Sequence, residues 1–129
     1  MKIIYVASPY AGDIEMNTEF AKKACRHVME QGYAFFAPHL LYPSILDGHQ
    51  PEQRQLGTDM GHAMLQNCDE LWCYGDRISH GMYLEIEEAQ SIGIPVRRVM
   101  EQENGFIIGR EKTQVQAEAP FMAMVVGMS

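Results

Sequence analysis

A chain of 129 residues, 47% hydrophobic and 21% charged, has single-domain length and enough apolar material to bury one core without metal or disulfide staples. Its net charge of −7, with Arg97-Arg98 as the densest positive spot, argues against a nucleic-acid groove. No apolar stretch approaches the roughly 18 residues that cross a bilayer. The opening "MKIIYVASPY" lacks the length and cleavage site of a signal peptide, so a cytoplasmic protein without membrane contact is expected.

Residues 2–7, "KIIYVA", form a β-branched and aromatic run that stops at Ser8-Pro9, as suits a strand buried on both faces. After "SPYAGD", the apolar positions Phe20, Ala21, Ala24, Cys25 and Val28 recur at helical spacing until Gly32 ends the pattern. "YAFFAP" (33–38) reads as a second strand closed by Pro38, and 43–51 as a polar loop. Leu56, Met60, Ala63, Met64 and Asn67 make a second helical stripe, expected to face the core. "ELWCYG" (70–75) is a third strand with Trp72 in the core. Met82, Ile86, Ala89 and Gly93 form the inward stripe of a third helix, and "IPVRRV" (94–99) is a fourth strand.

Strictly alternating strands and helices predict an α/β fold, a small doubly wound, Rossmann- or flavodoxin-like sandwich with a mainly parallel sheet of four to five strands. Residues 1–100 would form the α/β domain and 101–129 an extension of it. Within that extension "ENGF" suggests a turn. The apolar end "PFMAMVVGMS" stays open between a last strand, a dimer contact and a partly ordered terminus, and a homo-oligomer is expected through it. The cysteines Cys25, Cys68 and Cys73, odd in number and without a C-x-x-C pair, read as reduced core thiols. The five histidines show no ligand spacing, so no metal is expected.

In doubly wound sheets ligands sit beyond the carboxyl ends of the strands where strand order reverses, which brings "SPYAGD" and "GDRISHG" to one mouth. The first loop offers Ser8, Tyr10 and Gly12 at a helix start, a geometry able to cradle a phosphate or sugar. Tyr10 either stacks on a base or covers the turn. In the second, Ser79 is either a substrate contact or an N-cap, and Arg77 and His80 are either phosphate neighbours or solvated. On the following helix, Glu87 and Glu88 fall well away from the apolar stripe. Glu85 lies only about 60° from its centre, at the edge of burial. A carboxylate there is either a partly buried reagent facing the mouth or one more charge on a solvated face.

The stretch Ser79-His80-Gly81-Met82-Tyr83-Leu84-Glu85, followed by Ala89, resembles the S-x-G-x-x-x-E…A signature of the nucleoside 2-deoxyribosyltransferase superfamily, which includes deoxynucleoside 5′-monophosphate N-glycosidases. "IYVASPYAG" is similar to that family's first strand and loop, and the likeness runs over about residues 2–99. The resemblance implies that Glu85 attacks the anomeric carbon, that Tyr5 holds Glu85 through its hydroxyl, and that Ser79 and neighbouring amides, with Gly81, bind a 5′-phosphate. It also implies a substrate-orienting aspartate. Asp59 is the preferred candidate, as a polar position on an apolar helix, over Asp69 and over Asp76, which lies nearer the mouth and is counted with the substrate contacts. Glu87 departs from the family, which often carries glycine there. The implied activity is hydrolysis of the N-glycosidic bond of (deoxy)ribonucleoside 5′-monophosphates, without a cofactor. Base exchange between deoxynucleosides, a nucleotide-binding module without turnover and a structural subunit are the rival readings.

Overall fold

The computed structural model describes residues 1–112. The elements run β1 (Ile3–Ala7), α1 (Ile14–Glu30), β2 (Ala34–Phe36), α2 (Pro38–Leu41), a 3-10 turn (Tyr42–Ser44), α3 (Pro51–Leu65), β3 (Glu70–Tyr74), α4 (His80–Ser91), β4 (Val96–Gln102) and β5 (Gly105–Lys112). One five-stranded sheet has the order β2-β1-β3-β4-β5. β1 pairs in parallel with β2 and β3, β3 pairs in parallel with β4, and β5 returns antiparallel beside β4. This is the doubly wound α/β sandwich expected from the alternating pattern. The "ENGF" turn opens β5, whereas the apolar end 120–129 lies outside the described residues.

Strand alternation divides the core between the two faces of the sheet. Ile4, Val6, Trp72, Tyr74 and Val99 pack with Ala24, Cys25 and Val28 of α1. Tyr5, Ala7, Leu71, Cys73 and Val96 pack with Leu65 of α3 and with Met82, Ile86 and Ala89 of α4. Each fully buried apolar side chain of this kind stabilises the fold by roughly 1.5–3 kcal/mol. Trp72 and all three cysteines are core residues, and no disulfide joins the cysteines among the described residues.

Helix boundaries follow local chemistry. Asp13 caps α1 by accepting the Met16 amide at 3.0 Å, so α1 begins well before the apolar stripe that announced it. Pro38 closes β2 by starting α2 at a position where a missing amide hydrogen costs nothing. Gly93, expected on the inward stripe of α4, instead lies past the helix end with φ +81°, the left-handed conformation of a C-terminal glycine. On α3 the expected face is reversed. Leu56 and Met64 are exposed at 48% and 41%, while Gly61 and Leu65 are buried. A glycine lets α3 approach the sheet more closely than a methionine would, so packing overrides hydropathy here.

Candidate active site

β1 runs out toward α1 and β2 on one side of the sheet, and its neighbour β3 runs out toward α4 and β4 on the other, so strand order reverses between them. Above that point opens a cleft of about 570 Å³, a volume suited to a small ligand. Its walls come from β1, the loop after it, the segment 38–49, α3 and the first turns of α4.

Glu85 of α4 and Tyr5 of β1 meet at its inner end. The fully buried Tyr5 hydroxyl donates a short hydrogen bond to Glu85 Oε2. Glu85 Oε1 is buried and has no hydrogen-bond partner among the described residues. Burial raises the Glu85 carboxyl from 4.5 to about 7, against the lowering effect of the Tyr5 hydrogen bond. Burial first, and then the Glu85 charge, push the Tyr5 phenol well above its ordinary value, so it stays a donor. The pair is therefore a carboxyl group oriented through one oxygen, with the other lacking a hydrogen-bond partner among the described residues.

The room beside this pair comes from α3. Gly57 and Gly61, one turn apart, both line the cleft. A Cβ on Gly61 would stand 3.3 Å from the Tyr5 hydroxyl oxygen. Across the cleft, Tyr10 stacks on His39 with ring centroids 5.1 Å apart, and burial lowers the His39 imidazole to about 4, keeping it neutral. Asn17 holds the Tyr10 loop by donating to the Tyr10 and Ala11 carbonyls at 3.0 and 3.1 Å.

Of the residues singled out from sequence, Tyr5, Tyr10, Gly81 and Glu85 line the cleft together. The others stand elsewhere. Ser8 is buried at 1% exposure and is not part of the lining. Gly12, at φ +100°, serves the turn into α1. Ser79 caps α4, its hydroxyl oxygen accepting the Met82 amide at 3.2 Å. Asp76 is exposed outside the lining. Asp59 is also exposed and accepts from Gln55 Nε2 at 2.9 Å. It lies two residues from both Gly57 and Gly61, about 200° around the helix, so the face that reaches Tyr5 turns Asp59 away. Asp69 accepts the Ile3 amide at 2.7 Å.

Sequence reasoning passed over His39, Asp47, His49, Arg54 and His62, all of which line the cleft. One signal was available, the paired glycines at i and i+4 of a helix beside the polar row Arg54, Thr58 and His62 at the same spacing.

Among solved structures, the chain is similar to a 2-deoxyribosyltransferase from the psychrotolerant bacterium Bacillus psychrosaccharolyticus. Identity is 20% and the TM-score 0.64, over 76% of this chain and 72% of that one, which shows a shared fold. No curated protein matches the chain. Residues 2–99 match the family described as a domain of unknown function, DUF7768, and the chain belongs to that family.

Proposed function

We propose that the chain hydrolyses the N-glycosidic bond of (deoxy)ribonucleoside 5′-monophosphates with Glu85 as nucleophile. The observation that carries this reading is the half-partnered Glu85 carboxylate, held by Tyr5 in a cleft at the switch point of the sheet. The Oε1 lone pair of ionised Glu85 forms a bond to C1′ as the C1′–N bond breaks. The bonding electrons leave with the base, which takes up a proton from solvent. Water then attacks C1′ and gives up a proton to solvent as the ester bond to Glu85 breaks, and a sugar phosphate departs with the carboxylate restored. Tyr5 stabilises the ionised carboxylate by donating to Oε2, and the oxocarbenium-like transition state gains from the adjacent negative charge. The reaction requires no cofactor.

The fold shared with a 2-deoxyribosyltransferase favours a second reading, in which another base rather than water resolves the ester. Incubation with each nucleoside 5′-monophosphate, with and without a second free base, followed by chromatography, separates the two. Free base alone supports hydrolysis, and a new nucleotide supports exchange. Stabilisation by nucleotides with neither product marks a binding module and removes both.

A further inference from the structure

In a chain of net charge −7, the α3 wall of the cleft carries a guanidinium, Arg54, with Asp47 on the adjoining loop accepting the His49 amide at 2.9 Å. Arg54, Thr58 and His62 stand on successive turns of α3, and His49 joins them from the preceding loop. All four line the cleft. Arg54 is oriented by its Nη1 donating to the Gly48 carbonyl at 3.2 Å. It makes no ion pair among the described residues, whereas Lys2 and Arg97 both bind Glu70, Lys22 binds Glu19 and Lys23 binds Glu101. The Thr58 hydroxyl donates back to the Arg54 carbonyl at 3.2 Å, so its one proton is already committed and the donors to an anion come from its neighbours. A guanidinium placed in a cleft and steadied by a neutral carbonyl is a ready partner for an oxyanion, which it meets through several parallel N–H donors. The two loops that would otherwise take an anion contribute less. Ser79, which caps α4, and the buried Ser8 are both absent from the lining.

The geometry points to a phosphate subsite formed by Arg54, His49 and His62, so that the phosphate monoester of the ligand lies along α3 rather than at Ser79. This rests on the nucleotide reading above and assigns the phosphate of that substrate to a definite wall. The second positive feature of the wall is its match to the rest of the cleft, since Tyr10 and His39 form an aromatic surface and Glu85 the reacting end. Anion, aromatic and nucleophile contacts then come from separate parts of the wall.

The test is calorimetric titration of the full chain with ribose 5-phosphate, and with ribose as the control without phosphate. Neither probe carries a glycosidic bond, so the readout is independent of turnover. The wild type and Glu85→Gln should bind ribose 5-phosphate in preference to ribose. Arg54→Gln should weaken ribose 5-phosphate binding by about tenfold or more, the ordinary loss for a bond to a charged group. His49→Ala and His62→Ala should each weaken it less, and Ser79→Ala should leave it unchanged. Circular dichroism checks that each variant folds. Equal binding of the two probes, or a loss on Ser79→Ala with none on Arg54→Gln, overturns the subsite. If Arg54→Gln has no effect while Glu85 remains essential for base release, the glycosidase reading stands and only the subsite falls. If base release survives Glu85→Gln while Arg54→Gln weakens binding, the reverse holds.

Discussion

Glu70 and Glu85 are both shielded glutamates on opposite faces of one sheet, and they are treated in opposite ways. Glu70 sits at the start of β3 with its carboxylate fully engaged. The Trp72 indole donates at 2.9 Å, Arg97 Nε at 2.8 Å and Lys2 Nζ at 3.1 Å. These donors outweigh the burial that opposes ionisation, so the carboxyl is held below its usual range. Among the described residues Glu85 has one donor and one oxygen without a partner, and burial moves it the other way, to about 7. A carboxylate that only holds a fold together is saturated with donors. The proposed nucleophile is oriented but incompletely satisfied.

The largest break in this contrast should come from Glu85→Gln. Base release should fall by at least about 10³-fold, because a carboxamide cannot take the carboxylate's place as nucleophile. Its melting temperature should hold or rise, since an unpaired buried charge is removed. Base release at the wild-type rate in this variant would remove Glu85 from the mechanism. Glu70→Ala should do the opposite, leaving activity in the cold intact but costing on the order of 3 kcal/mol. The half-buried Arg97 and the buried Trp72 indole would lose their acceptor, and thermal melts should read the loss as about 10 °C.

The two carboxyls should also give stability slopes of opposite sign. For Glu70, whose folded value is lowered, the stabilisation is complete above 4.5 and disappears as pH falls through the folded value. For Glu85, whose folded value is raised, stabilisation is complete below 4.5 and is lost as pH rises toward about 7. Melts of Glu70→Gln should therefore converge on the wild type in acid, and those of Glu85→Gln should gain on it between pH 4.5 and 7. Parallel curves for all three proteins would contradict the assignment.

A smaller effect is expected from Tyr5→Phe. The wild-type kcat/KM should rise with pH and level off above about 7, as Glu85 ionises. Without the phenol donor the midpoint should move higher, with a loss of about tenfold at neutral pH. An unshifted profile would reduce Tyr5 to a core residue. Ser79→Ala should be smallest, about 1 kcal/mol of stability from a lost helix cap, with nucleotide binding preserved.

The parts of this arrangement that were legible in the sequence are those that periodicity encodes. The strand–helix alternation, the buried Trp72 and the apolar stripe of α4 all follow from spacing, and the same wheel puts Glu85 at the stripe's edge. The face of α3 was not legible. Leu56, Met60 and Met64 outweigh Gly57 and Gly61 in hydropathy, but closeness to Tyr5 is what decides the packing, and it rewards the absence of a side chain. Preferring Asp59 inherited that error, because a polar residue on the supposed inner face is in fact on the outer one. Ser79 shows a different limit, in that one hydroxyl at a helix start suits a cap and an anion equally until its partner is seen.

The close fit of α3 against Tyr5 also has a cost in rigidity. Two interior glycines each weaken a helix by about 1 kcal/mol relative to alanine, and Gln50 provides no side-chain cap, whereas α1 has neither glycine nor an open cap. Local opening should therefore begin in α3, and its amides should exchange with solvent ahead of those of α1. The helix that walls the cleft is then also the part of the scaffold that opens most easily to admit a ligand.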